Sequence, residues 1–275
     1  MKVSIIVPTY HRAHDLSELL DSILKQTVRP YEVIVVDDTP NDTIETLCEE
    51  YEALFENIGS RLAYFRNPGN RCLTISRNVG VKHAEGEFIA FFDSDVILHC
   101  DYIDKILEVF RKYANALGVQ GWIVNLKGKE DLLSRAVNRV FFLNRLTKDS
   151  CRFLGYPAVL TRIINCEILS GANMTYRHEV FSEFKFDESL NKYCYMEDVL
   201  FSHSIFKKYP KGLFITPYAK CIHKSSEAGR VESKELERLK SQHRKYVLVK
   251  LFGLRGTLLY YWQSLGIAIK QRGRT

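Results

Sequence analysis

Glycine-rich phosphate loops are missing from this chain. Neither Gly-x-x-x-x-Gly-Lys-Ser/Thr nor Gly-x-Gly-x-x-Gly occurs, which disfavours ATP hydrolysis and dinucleotide chemistry. The seven cysteines, at positions 48, 72, 100, 151, 166, 194 and 221, include no Cys-x-x-Cys pair. An odd, scattered set with no recognisable secretory signal points to reduced thiols and a cytoplasmic protein, because Met1-Lys2 runs directly into an apolar strand pattern. No apolar run is long enough to span a bilayer, which takes about 20 residues. Gly256 to Ile269, the most apolar stretch near the end, falls short of that. Low-complexity segments and internal repeats are also missing. What remains is 275 residues, 46% of them hydrophobic, enough for one large α/β domain or a domain with an appendage.

The N-terminal third repeats a strand, an acid and a helix. Val3-Ser4-Ile5-Ile6-Val7 is a buried-strand pattern stopped at Pro8-Thr9-Tyr10, and Asp15 to Leu24 carries apolar residues at helical spacing. Tyr31 to Val36 is a β-branched run ending in Asp37-Asp38, followed by helical periodicity from Thr43 to Leu54. Leu62 to Phe65 begins a third unit, whose helix spans Ser76 to Ala84. A fourth strand, Phe88 to Phe92, ends in Asp93-Ser94-Asp95. Strands alternating with helices predict a mostly parallel sheet with crossover helices. Carboxylates at i and i+2 on an extended backbone share one side, at the strand end where open α/β sheets bind ligands. Such a pair suits Mg²⁺ or Mn²⁺, which favour oxygen ligands completed by substrate phosphates. A polar turn closing a strand is the alternative.

Taken in order, Ile6-Val7-Pro8-Thr9-Tyr10, Val35-Val36-Asp37-Asp38, Arg77-Asn78-Val79-Gly80, Gly86 to Asp95 and Met196-Glu197-Asp198 resemble the motif series of family 2 glycosyltransferases. The resemblance covers roughly residues 1 to 223, and Cys100 to Asn165 matches only loosely. It implies a GT-A fold and transfer of a sugar from a nucleotide diphosphate donor, with inversion at the anomeric carbon and aid from Mn²⁺ or Mg²⁺. It also implies a donor side built from Pro8, Thr9, Tyr10, Arg12, Asp38, Arg77, Asp93 and Ser94. There Thr9 and Tyr10 line the base pocket, and Asp38 accepts the imide N–H of a uracil, a contact its carboxylate is suited to make. Arg77 falls where the family carries an arginine near the donor phosphates, and a guanidinium fork matches phosphate oxygens. A solvated helix-face arginine is the alternative. Asp95 resembles the metal-ligating acid, with Asp93 on ribose or a metal-bound water.

Transfer with inversion needs a base for the acceptor hydroxyl. Glu197-Asp198 precedes the helix-spaced Val199 to Phe206, so local sequence favours an N-cap for Asp198, whereas the resemblance favours the base. Cys166 to Arg177 resembles the family strand bordering the acceptor side, with Gly171 allowing close approach, Asn173 reaching hydroxyls and Glu197 beside them. A glycine bulge is the alternative at Gly171. His223, after a predicted strand at Leu213 to Thr216, is read either as a further metal ligand or diphosphate donor, or as a structural histidine.

The charge is unevenly placed. Residues 229 to 275 hold eleven Lys or Arg against three Glu, a net +8, so the rest of the +6 chain carries −2. Interleaved with Tyr246, Leu258, Trp262 and Ile269, these residues predict a basic amphipathic helical tail after a catalytic domain of residues 1–228, divided into a nucleotide-sugar half (1–99) and an acceptor half (100–228). The tail either lies on an anionic membrane, placing the protein at the inner face of the cell membrane, or packs on the domain. Leu132 to Leu146 is a second apolar amphipathic stretch, read as a lid, a lipid contact or a core helix. The expected partners are a nucleotide diphosphate sugar and a glycan or lipid-linked acceptor, with no nucleic acid. A polyprenol-phosphate sugar synthase is the alternative enzyme, and a non-catalytic nucleotide-sugar-binding module the alternative of another class. A sugar nucleotidyltransferase is disfavoured, because Pro8 to Arg12 has no glycine to cradle a triphosphate.

Overall fold

The computed structural model describes residues 1–67, 72–125, 132–143, 160–190, 194–226 and 233–272. Its first half is the expected alternation: β1 (Val3–Thr9), α1 (Ala13–Leu24), β2 (Glu32–Asp37), α2 (Thr43–Asn57), β3 (Arg61–Arg66), α3 (Leu73–His83) and β4 (Phe88–Phe92). There follow β5 (Val96–Leu98), α4 (Tyr102–Lys112), β6 (Gly118–Ile123), α5 (Leu132–Val140), β7 (Ile164–Asn165), β8 (Asn173–Arg177), α6 (Glu197–Lys208), β9 (Leu213–His223), α7 (Ser233–Phe252) and α8 (Leu254–Arg272). The strands form one mixed sheet in the order β3-β2-β1-β4-β8-β6-β9-β5, with β7 paired to β9. From β3 to β4 every pairing is parallel; β8 then runs antiparallel between β4 and β6.

Side chains on β1 alternate between two cores. Ile5 and Val7 face Leu16, Leu19 and Leu20 of α1, whereas Ile6 faces the cluster containing Phe91, Met174, Phe201 and Ile205. Both faces of the sheet are therefore covered, which explains why β1, β2 and β4 read as unbroken apolar runs. Pairing of β1 with β4 ends at Ile6 and Phe91. Pro8, which has no N–H to donate, lies beyond that point. The two strands separate there, with Thr9-Tyr10 on one lip and Asp93-Ser94-Asp95 on the other, in the crevice where the strand order reverses.

Three local expectations are revised. The strand read over Cys166 to Arg177 shortens to β8, because Gly171 and Ala172 form a turn before it, so Gly171 is not a strand bulge. Asp93 and Asp95 lie in the turn between β4 and β5, closed by Val96 N–H donating to the Asp93 carbonyl (3.1 Å), and not on an extended strand. β9 runs eleven residues, so His223 is its last residue rather than one beyond it. Residues 68–70 of the third unit and 144–146 of the second amphipathic stretch lie outside the described residues.

The basic tail is two helices. Val247, Leu248 and Leu251 of α7 are buried with Cys72, Leu190, Met196, Val199 and Leu200. α8 folds back along α7 and meets α5.

Candidate active site

A cleft of about 440 Å³ opens at the carboxyl ends of β1, β2 and β4 and is lined by residues from both halves of the chain. Pro8, Thr9, Tyr10, Arg12, Asp38, Arg77, Asp93, Ser94 and Asp95 come from the first half; Gly171, Glu197, Asp198 and His223 come from the second. Asn173, expected to reach hydroxyls here, is not in the lining. It is fully buried in β8, with Nδ2 3.4 Å from Cys221 Sγ, because strand alternation turns it beneath the floor that Ala172 and Gly171 form.

On the first lip, the ends of β2 and β3 hold Asp38. Asn67 Nδ2 donates to its Oδ1 (2.6 Å) and Ser76 Oγ to its Oδ2 (2.8 Å). Neither Asn67 nor Ser76 was an expected site residue, and the only signal for Asn67 is that it follows β3 as Asp38 follows β2.

Across the crevice, Asp93, Asp95 and His223 present one ligand atom each, all within 4.8 Å of one another. The β5–β9 pairing makes this cluster, since Val96 lies opposite His223 in register. Asp95 is buried; its Oδ1 has no hydrogen-bond partner of good geometry but faces Arg12 Nη1 at 3.2 Å and His223 Nε2 at 3.3 Å. Its Oδ2 accepts from Ser226 N–H (2.8 Å). Burial by itself would raise the Asp95 pKa, but His223, Arg12 and the Ser226 N–H outweigh it and hold the carboxyl down to about 2. An ionised, buried carboxylate, a second acid and an imidazole whose ligand atoms lie within 4.8 Å of one another are a donor set that fits Mn²⁺ or Mg²⁺.

At the back of the cleft, Arg77 is 1% exposed, so it is not a solvated helix-face arginine. Its Nη1 donates to Glu197 Oε1 (2.9 Å), and its Nη2 donates to the Gly171 carbonyl (3.1 Å) and approaches Asp93 Oδ1 at 3.6 Å. Phe186 stacks within 5.3 Å of the guanidinium. Arg77 thus bridges the acids of the two halves, a contact across 120 residues that sequence spacing does not reveal. Gly171 leaves room for this pair: a Cβ would lie 2.8 Å from Arg77 Nη2 and 3.2 Å from Glu197 Oε1.

Asp198 is not the N-cap of α6. That position belongs to Met196, in the left-handed region at φ 65°, and Glu197 begins the helix. Asp198 Oδ2 accepts from Gly171 N–H (2.9 Å) and its Oδ1 from Val199 N–H (2.8 Å), which fixes the carboxylate in the cleft wall. Burial, opposed by those N–H groups and by Arg77, leaves its pKa raised; burial and the Asp198 charge push Glu197 up to about 7. Two adjacent carboxyls in a cleft whose proton affinity burial raises are suited to proton transfer. Ser170, Cys194 and Tyr195 also line the cleft without having been expected. Tyr195 N–H donates to His243 of α7 (3.3 Å), so the tail touches the cleft wall.

With this geometry, comparison with known proteins is informative. The model of the glycosyl transferase family 2 matches residues 4–184, well over half of the chain. The chain belongs to this family. A curated relative is the poly(ribitol-phosphate) β-N-acetylglucosaminyltransferase TarP of Staphylococcus aureus, 36% identical over 134 residues, which are 46% of this chain and 38% of TarP. The chain spans less than two thirds of the curated relatives it matches. Two solved structures share the fold. The first 349 residues of S. aureus TarS, in complex with UDP-GlcNAc, superpose with a TM-score of 0.59 at 23% identity, over 94% of this chain and 70% of that one. The mannosyltransferase PcManGT from Pyrobaculum calidifontis, in complex with GDP-Man and Mn²⁺, gives 0.62 at 16% identity, over 98% and 75%. The α/β architecture is accordingly the GT-A fold that the motif series implies.

Proposed function

We propose that this family 2 member is an inverting, metal-dependent glycosyltransferase that moves a sugar from a nucleotide diphosphate donor to an acceptor hydroxyl. The observation that carries this reading is the convergence of Asp93, Asp95 and His223 with Asp198 on one cleft, at the switch point of the sheet. Residues 1–99 supply the donor half. Asp38 accepts a base imide N–H, which favours a UDP-sugar, and Thr9 and Tyr10 flank it. Asp95 and His223, with Asp93 beside them, would hold Mn²⁺ or Mg²⁺, which would supply positive charge to the leaving diphosphate. Arg12 and Arg77 add cationic charge on either side of that cluster. Residues 100–228 supply the acceptor half. Asp198 takes the proton of the attacking hydroxyl as that oxygen bonds the anomeric carbon, and the bond from that carbon to the diphosphate breaks on the opposite face. Glu197 and Gly171 set the position of Asp198 and Arg77.

TarP's poly(ribitol-phosphate) acceptor supports a glycan or lipid-linked glycan as the acceptor class here. A polyprenol phosphate is the second reading, and the basic tail favours it. Thermal-shift screening of nucleotide sugars with Mn²⁺ tests the reading. Stabilisation by a UDP-sugar that vanishes with EDTA is expected. No stabilisation by any nucleotide sugar, with metal and fold intact, would reject it.

A further inference from the structure

α8 leaves a large apolar face outside. The residues it turns towards α7 and α5 include Gly256, Gln263 and Gly266, all buried; a Cβ at Gly256 would collide with the Leu248 carbonyl, and one at Gly266 with Phe141. Its opposite face carries Leu254, Leu258, Tyr261, Trp262, Leu265 and Ile269, each between 43% and 77% exposed. The spacing of these six puts them on one side of a helix. The end of α5 extends the same surface. Trp262 Nε1 donates to the Val140 carbonyl (3.0 Å) and Gln263 Nε2 to that of Phe142 (2.8 Å), and the Val140 and Phe142 side chains are themselves exposed. Leu259 and Tyr260 pack inward against the α7 core, but six large apolar side chains remain outside, and a contiguous exposed patch of this kind marks a contact surface.

Charge decides what it contacts. From Arg238 to the C-terminus the chain has nine Lys or Arg and no Asp or Glu. Arg255 is exposed on the apolar face itself, and Lys245 Nζ lies 5.8 Å from the Tyr261 ring. A second copy of this face would set Arg255 and Lys245 against cations of the same kind, and nucleic acid would leave the six apolar side chains in water. An anionic lipid surface satisfies both components at once: Trp and Tyr sit at the headgroup level, Leu and Ile enter the acyl boundary, and Lys and Arg meet phosphate. Among the described residues no helix is long and apolar enough to cross a membrane.

We propose that the outer face of α8, continued by Val140 and Phe142, docks this protein on the surface of an anionic membrane without spanning it. The proposal rests on the functional reading only in supplying the lipid-linked acceptor with a place. The inner side of the same hairpin packs on Met196, Val199 and Leu200, next to Asp198.

The test uses the full chain and vesicles of phosphatidylcholine with and without phosphatidylglycerol. The chain has two tryptophans, so Trp122→Phe leaves Trp262 as the sole reporter, and co-sedimentation of the unaltered protein gives a measurement independent of that variant. The expected result is pelleting with acidic vesicles, a blue shift of Trp262 emission, and weakening of both at high salt. The triple variant Leu258→Ser, Leu265→Ser, Ile269→Ser alters only exposed positions. It should lose roughly tenfold or more of the vesicle affinity while keeping its melting temperature and its donor binding in Mn²⁺. No pelleting and no shift with acidic vesicles would overturn the proposal. So would a concentration-dependent dimer that the triple variant dissociates, because the face would then be a protein interface. Vesicle binding without stabilisation by any nucleotide sugar would uphold the docking and remove the enzymatic reading instead.

Discussion

Asparagine at position 198 separates the chemistry of the cleft from its architecture. The Asp198 carboxylate accepts two backbone N–H groups, from Gly171 at 2.9 Å and Val199 at 2.8 Å. Asparagine has one acceptor oxygen, so its amide would point a donor at whichever N–H is left over. Leaving such a buried donor unpaired costs about 1–3 kcal/mol. The substitution also removes a buried charge next to Glu197, which works in the opposite direction, since both carboxyls are held above their usual range. These effects partly cancel, and the fold should survive Asp198→Asn with a modest change in melting temperature. The reaction should not. An amide cannot take the acceptor's proton, and loss of general-base assistance lowers the rate by roughly 10²–10⁴-fold. At 1.36 kcal/mol per decade that is about 2.7–5.4 kcal/mol of transition-state stabilisation. The assay is single-turnover transfer from the donor selected by the thermal-shift screen, with donor affinity measured separately. A fall in the rate constant with unchanged donor affinity is expected. Turnover within an order of magnitude of wild type, at matched melting temperatures, would refute the base assignment and leave Asp198 as an anchor for the Gly171 turn.

Four further outcomes follow from the same geometry. Asp95→Asn should weaken donor binding measured with Mn²⁺, and EDTA should abolish transfer by the wild type; full activity in EDTA would remove the metal from the mechanism and leave Arg12 and Arg77 as the charges facing the diphosphate. Gly171→Ala places a methyl 2.8 Å from Arg77 Nη2, so overpacking of about 1–3 kcal/mol is expected in denaturant unfolding, together with loss of transfer; a wild-type unfolding midpoint would show that Arg77 yields freely. Because the base must be ionised, kcat/KM should rise with pH along an acid limb lying above the ordinary carboxylate range; a limb near pH 4 would mean that burial does not raise these carboxyls. Glu197 adds a stability signature, since folding lifts its pKa from 4.5 to about 7 and unfolding in that window releases a proton; stability therefore falls as pH rises from about 4.5 to 7, and Glu197→Gln should flatten that slope in urea midpoints.

Much of the donor half could be read from sequence because its order is local. Apolar runs buried on both faces of a parallel sheet, each followed within a few residues by an acid and a helix, determine β1 to β4, and Asp38 and Asp93-Ser94-Asp95 occupy strand ends as a direct result. The tail was legible as helical and basic for the same reason: charge and periodicity are properties of short windows. Where contacts join distant segments, sequence was silent. His223 reaches Asp95 only because β5 and β9 pair in a register that sets Val96 opposite it, and Arg77 reaches Glu197 only because α3 and α6 face the same crevice. Asn173 shows the converse, for a one-residue change of phase at the Gly171-Ala172 turn moves a side chain from cleft to core. The tail makes the same distinction on a larger scale. Sequence determined that residues 229 to 275 are basic and apolar together, but both competing fates suited that composition. Only the packing of Val247, Leu248 and Leu251 onto α6, with Gly256 and Gly266 letting α8 approach closely, decided which face is core and which is left facing solvent.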